Sequence, residues 1–162
     1  MAMGGALWCD GNITDTSEYN IYADPHALNE LLQAQINLTL IPLDVTEQLT
    51  LTEDEIVAAC QAHGDRWTRF VQKATQSVFE FEHAQGGARK MHLHDPSVPA
   101  LLIEPSLFAM RVLAIGVETE GAPAGSLKAL PEEIEEGMSV DCAVDVDSAR
   151  AMEFLHGRVL GS

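Results

Sequence analysis

Positive charge is what this chain has least of. Nine Lys and Arg stand against 25 Asp and Glu, a formal net charge of −16 over 162 residues. A surface of that sign repels a nucleic-acid backbone or an anionic membrane, so neither is expected as a partner. It favours solubility and leaves room for a bound cation without demanding one. Cysteine is scarce as well: Cys9, Cys60 and Cys142 leave one unpaired and show no metal-ligand spacing, so a reduced, cytoplasmic chain is expected. No apolar run approaches the length of a membrane span, and the first residues lack the basic segment and apolar core of a signal peptide. Asn12-Ile13-Thr14 and Asn37-Leu38-Thr39 match the glycosylation pattern, which has no meaning in a cytoplasmic setting.

Hydrophobic residues at 46% and charged residues at 21% are those of a globular protein, long enough for one domain over 1–162 with a sizeable core. Met3 to Trp8 reads as the end of a buried strand running into a polar loop, a strand that would lack the neighbours a complete doubly wound sheet supplies. Asp24-Pro25 is a helix start, with Asp as N-cap and Pro at the first helical position; Leu28, Leu31 and Leu32 share a face, and the helix ends near Gln35. Residues 36–44 follow as a strand.

Thr52 and Glu55 have capping-box spacing before a helical face of Ile56, Val57, Ala59 and Cys60. After His63-Gly64, Asp65 caps a second helix from Arg66 to about His83, with Trp67, Phe70, Val71 and Val78 toward a core. Asp95-Pro96 repeats the Asp-Pro start and leads into a short apolar helix through Leu102. Strands are expected over 109–119 and 140–146, an acidic loop or short helix over 127–138, and a last helix capped by Asp147 through about His156. Strands alternating with helices predict an α/β fold, a layered, mostly parallel sheet flanked by helices.

Residues 11–25 carry the most chemistry. They place two amides, Asn12 and Asn20, and the carboxylate of Glu18 in a polar segment just before a helix. An amide both donates and accepts and a carboxylate accepts, so the trio suits an alcohol-rich ligand such as a sugar. The same residue types also form turns and solvated surface.

The string resembles a motif of the nucleoside hydrolases: Met3-Gly4-Gly5-Ala6, Gly11-Asn12-Ile13-Thr14, Glu18-Tyr19-Asn20, then Asp24-Pro25, with His94-Asp95-Pro96 downstream. The likeness covers about residues 3–120, and more loosely the remainder, as the C-terminal half of such an enzyme. Tyr19 stands for the family's usual Phe, Asp15 for its common Pro, and residues 122–138 lack its Gly-x-Thr-Val segment. The family's N-terminal Asp-x-Asp-x-x-x-Asp-Asp cluster is not in this sequence; Asp145-Val146-Asp147 echoes its start without the following Asp pair.

The resemblance implies that Asn12, Glu18, Asn20 and Met3 contact a ribose, that His94 is the catalytic group protonating the departing base, and that Asp95 is a ligand of a catalytic Ca²⁺. His92, two residues from His94, points the same way on an extended segment. Phe79, Phe81 and His83 lie where family members contact the base, although core or helix-surface positions suit them better. Two readings follow. One is a ribonucleoside hydrolase unit, cleaving the N-glycosidic bond to ribose plus base, with the missing half supplied by a second polypeptide or by a longer chain. The other is a non-catalytic ribose- or nucleoside-binding module whose open sheet edge favours a homo-oligomer.

Overall fold

Aspartate and threonine caps divide the chain into its helices. A computed structural model describes residues 1–84, 86–130 and 139–161. In chain order the elements are β1 (Ala2–Met3), α1 (Tyr19–Ala23), α2 (Pro25–Gln33), β2 (Thr39–Ile41), α3 (Leu43–Thr46), β3 (Thr50–Thr52), α4 (Glu53–Ala62), α5 (Arg66–Ala84), β4 (Lys90–His92), α6 (Ser97–Ile103), a 3-10 turn (Pro105–Leu107), β5 (Phe108–Val117), β6 (Leu127–Ala129), β7 (Ser139–Val146) and α7 (Ser148–Val159).

Several helix starts have a local cause. Asp24 Oδ1 accepts from Ala27 N at 2.9 Å, with Pro25 at the first position of α2. Thr52 and Glu55 close a reciprocal capping box on α4: Glu55 N donates to Thr52 Oγ1 at 3.3 Å and Thr52 N to Glu55 Oε2 at 2.7 Å. Asp65 accepts from Thr68 N, and Asp147 from Arg150 N. On α2, Leu28 and Leu32 are buried while Leu31 is 40% exposed, so the inner stripe is narrower than its three leucines imply. The helix stops at Gln33, and Gln35 takes a left-handed φ of 52°.

Several segments differ from the sequence expectation. The strand expected over Met3–Trp8 is only Ala2–Met3, because the chain turns at Gly5 with φ +86° and the Gly5 N–H goes to a side chain instead of a ladder. The strand expected over 36–44 shrinks to β2. Pro42 has no N–H for a neighbouring strand and stands at the N-cap of α3. On α5 the inward residues are Thr68, Val71 and Phe79, whereas Trp67, Phe70 and Val78 face outward. Asp95 does not repeat the cap of Asp24: Pro96 holds the N-cap position of α6 with no side-chain cap bond. Of the expected 127–138 segment, Leu127–Ala129 is strand and 131–138 lies outside the described residues.

Among the described residues the main sheet has the order β1-β2-β7-β5-β6, with a separate antiparallel pair β3-β4. The layered α/β class is therefore as expected, and the sheet is mixed: β1, β2 and β7 run parallel, β5 and β6 antiparallel. Alternation along the strands sends Ile41 and Ala143 to one face, against Phe79, Leu101 and Leu155. Leu40, Val140 and Cys142 go to the other face, against Ile21, Leu28 and Leu32. Burying each leucine or phenylalanine contributes roughly 1.5–3 kcal/mol. These two cores fix the parallel strands so that Met3 and Ile41 end side by side, and at such carboxyl ends open α/β sheets hold ligands.

Candidate functional site

The loop from Gly11 to Glu18 is tied down before it reaches the sheet. Gly11 N donates to Asp15 O and Ile13 N to Ser17 O; a side chain at Gly11 would collide with the backbone of Thr14 and Ser17. Ser17, fully buried, donates its hydroxyl to Ala124 O at 2.9 Å. Beside it Gly125, with φ +83°, lies so near Tyr22 that a Cβ would sit 2.6 Å from its Cα.

Glu18 is the anchor this loop delivers. It is 1% exposed and its carboxylate accepts three backbone N–H groups: Oε2 from Gly5 at 3.0 Å and Ile21 at 3.1 Å, Oε1 from Asn20 at 2.9 Å. A charged acceptor at a helix N-terminus satisfies donors that α1 leaves unpaired. Asn12 Oδ1 accepts from Tyr19 N at 2.8 Å. Asn20 Nδ2 lies 3.4 Å from Met3 O and 3.5 Å from Met3 Sδ, donating to both. The structure thus brings Asn12, Glu18, Asn20 and Met3 into one bonded group at the carboxyl end of β1. Asn12 Nδ2 and Asn20 Oδ1, on exposed residues, have no protein partner among the described residues, which leaves one donor and one acceptor for a ligand.

His94 reaches the same end of the sheet by another route. Gly5 accepts at its carbonyl from Leu43 N at 2.8 Å, which seats α3 against the β1 loop. Thr46 of α3, fully buried, has Oγ1 2.8 Å from His94 Nδ1. His92 stacks on His94 with ring centres 5.5 Å apart, so the two imidazoles do lie together. Burial first, then the neighbouring His92, pushes the His94 pKa below its ordinary value of 6.5; the carboxylates of Asp95 and Glu18 oppose the shift.

Asp95 is exposed and not engaged in capping; it is its backbone carbonyl that accepts, from Val98 N at 3.1 Å. Ca²⁺ takes six to eight oxygens. Among the described residues no group of three His, Cys, Asp or Glu is placed to hold a metal, so Asp95 by itself does not fit that ion. Asp145 accepts from Val146 N and Gln48 Nε2, and Asp147 caps α7, so both have structural uses. Phe79 is core and Phe81 is 62% exposed.

Two residues escaped the sequence reading. Asp44 accepts from Leu7 N at 2.9 Å and Trp8 N at 2.8 Å, pinning the chain just past β1. Thr46 fixes the His94 ring. The only local signal for Asp44 is an acid in a helical first turn; nothing local marks Thr46.

A buried glutamate, two amides and a histidine thus gather near the carboxyl ends of parallel strands, the end at which open α/β sheets hold ligands. The chain belongs to the inosine-uridine preferring nucleoside hydrolase family, which matches residues 1–153. It is 33% identical over 120 residues to the pyrimidine-specific ribonucleoside hydrolase RihA of Salmonella newport, covering 74% of this chain and 38% of that one. To uridine nucleosidase 1 of Arabidopsis thaliana it is 26% identical, over 76% of this chain and 36% of the relative. The purine-preferring ribonucleoside hydrolase of Gardnerella vaginalis superposes with a TM-score of 0.86 at 28% identity, and a plant nucleoside hydrolase with 0.87 at 21%, the latter a likeness of fold. Each superposition covers 98% of this chain; the chain spans 51% and 52% of those structures.

Proposed function

We propose that this chain binds the ribose of a ribonucleoside through Asn12, Asn20 and Met3, around the anchoring Glu18, and offers His94 to the departing base in N-glycosidic hydrolysis. The observation that carries this is the seating of Asn20 on Met3 at the end of β1, with His94 bonded to Thr46 of the helix that Gly5 O holds through Leu43 N. The relatives are named for uridine, pyrimidine and purine substrates. Ribose is what these have in common, and the amides match hydroxyls, so the sugar side is the part assigned here and the base is left open. Glu18 Oε1, with one N–H already bound, keeps a lone pair for a hydroxyl.

Holding the sugar in one orientation lowers the barrier by positioning, and acceptors near the ring favour the oxocarbenium-like transition state. A hydrogen-bond donor at the base stabilises the charge that develops on it. Ca²⁺ would supply an activated water, and its remaining ligands would come from a polypeptide carrying the Asp-x-Asp-x-x-x-Asp-Asp cluster. The three cysteines are all free thiols, which suits a reducing cytoplasm. Calorimetry with ribose tests the pocket: Asn20→Ala should abolish binding with the circular dichroism spectrum unchanged, and unaltered binding would overturn the assignment.

A second reading, a ribose-binding or self-associating module without turnover, draws on β1. That strand is two residues long and, among the described residues, ends the sheet order, so its outer side is available for pairing. Dimerisation independent of Ca²⁺, with no base released from inosine or uridine, would favour it. Base release on adding a chain that bears the aspartate cluster would favour the first.

A further inference from the structure

The proposed reading uses His94 as a donor to the base but leaves open which ring nitrogen carries the hydrogen. We infer that Thr46 is a positioning residue: its buried hydroxyl donates to Nδ1 of His94 and holds the neutral ring as the Nε2–H tautomer.

The hydroxyl hydrogen of Thr46 has few places to go. Thr46 has no exposed surface, so water does not take that hydrogen. Helical threonines commonly donate to the carbonyl three or four residues back. Here Pro42 O already accepts from Val45 N and Thr46 N, Leu43 O accepts from Glu47 N, and Thr46 Oγ1 bonds to neither. Among the described residues its one partner is His94 Nδ1, at 2.8 Å. If Nδ1 carried the hydrogen and donated, the hydroxyl hydrogen would be buried with no acceptor, an arrangement proteins avoid. With Nδ1 accepting, both groups are satisfied and the ring hydrogen sits on Nε2.

The ring cannot easily turn over. His92 stacks on it, and His92 is itself held by its Nδ1 against Glu47 O at 3.0 Å, one residue beyond Thr46. Leu93, between the two histidines, is buried and donates its N–H to Leu49 O at 2.7 Å. Nε2, on the far side of the ring from Thr46, has no protein partner among the described residues. A donor there suits a ring nitrogen or carbonyl oxygen of a departing base. The functional meaning rests on the proposed reading; the tautomer does not.

The test uses the full chain labelled with ¹⁵N and long-range proton–nitrogen spectra of the imidazoles near pH 8, above the ordinary histidine range of about 6.5. His94→Gln identifies the signal by its loss. In the wild type Nδ1 should appear as the unprotonated, pyridine-type nitrogen and Nε2 as the pyrrole type. Thr46→Val, close in shape but without the hydroxyl, should move both nitrogens toward averaged shifts, and Thr46→Ser should restore them. A pyrrole-type Nδ1 in the wild type, or fixed shifts unchanged in Thr46→Val, would overturn the inference. The wild-type spectrum decides the tautomer even if the valine variant fails to fold. Absence of ribose binding alongside the expected tautomer would remove the functional reading and leave the role of Thr46 standing.

Discussion

Glu18 holds Gly5 from thirteen residues away, its Oε2 accepting the glycine N–H at 3.0 Å inside the protein. Gly5 adopts φ +86°, and a Cβ there would collide with Leu127, so the backbone can present that N–H only as glycine. The carbonyl of the same residue takes Leu43 N, the first residue of the helix that carries Thr46. One peptide position thus couples the amide loop to the histidine.

Glu18→Gln should therefore cost more than an ordinary surface change. The amide keeps the shape but replaces one acceptor oxygen by a donor, which must face a backbone N–H in a buried place. The expected loss is about 2–3 kcal/mol, read as a lower urea midpoint with an unchanged slope. A loss below roughly 0.5 kcal/mol would mean the carboxylate is not the anchor described.

Asp44 should govern both the loop past β1 and the thiol beside it. Burial, then the charge and hydrogen bond of Asp44, pushes the Cys9 thiol up to about 12. At pH 8 that leaves on the order of one thiolate in ten thousand, so alkylation of Cys9 should be slow. Asp44→Asn removes the charge but leaves the burial, so it should speed alkylation without bringing Cys9 to the rate of a free thiol. Peptide mapping after timed iodoacetamide treatment measures this, and an unchanged Cys9 rate would contradict the pairing.

What the sequence discloses here is what is local. Asp24-Pro25, Thr52 with Glu55, and Asp147 announce their helices because each cap acts within three residues of itself. Asp95-Pro96 looks identical to Asp24-Pro25 as letters, yet its carboxylate caps nothing, since the backbone leaving β4 turns differently. On α5 Val71 and Val78 lie only about 20° apart around the helix, yet Val71 is buried and Val78 is 37% exposed; periodicity does not say where the inner face ends. The string around Asn12, Glu18 and Asn20 was legible as a motif. Its supports, Gly5 to Leu43, Asp44 to Leu7, and Thr46 to His94, join positions 37 to 48 residues apart for the side-chain pairs, and no local pattern encodes them.

The capping box offers a control remote from the site. Thr52→Ala removes the acceptor for Glu55 N and the hydroxyl that donates to Glu55 Oε2, leaving only the backbone N–H of residue 52 on that carboxylate, and should cost about 1 kcal/mol. Ribose binding should be unaffected, because α4 takes no part in the pocket. A change in ribose affinity comparable to that of Asn20→Ala would show that the loss there is a general softening of the fold.

The sharpest test of convergence is the titration of His94. Its folded pKa lies below the unfolded value of about 6.5, so above that range both states carry a neutral ring and the group contributes nothing to pH dependence. As pH falls through 6.5 the unfolded chain takes the proton first, so this group lowers stability progressively until the folded value is passed, and the penalty is then complete. His94→Gln should consequently lose less stability than the wild type between pH 7.5 and 5, with the other histidines common to both. Glu18 adds the decisive arm. Its carboxylate raises the His94 pKa against burial and against His92, so Glu18→Gln should drive that pKa further down, seen by following the His94 ring protons through a pH series. Should the titration stay where it is in a folded Glu18→Gln protein, the two side chains do not share a pocket, and the ribose-and-base arrangement built on their meeting falls with it.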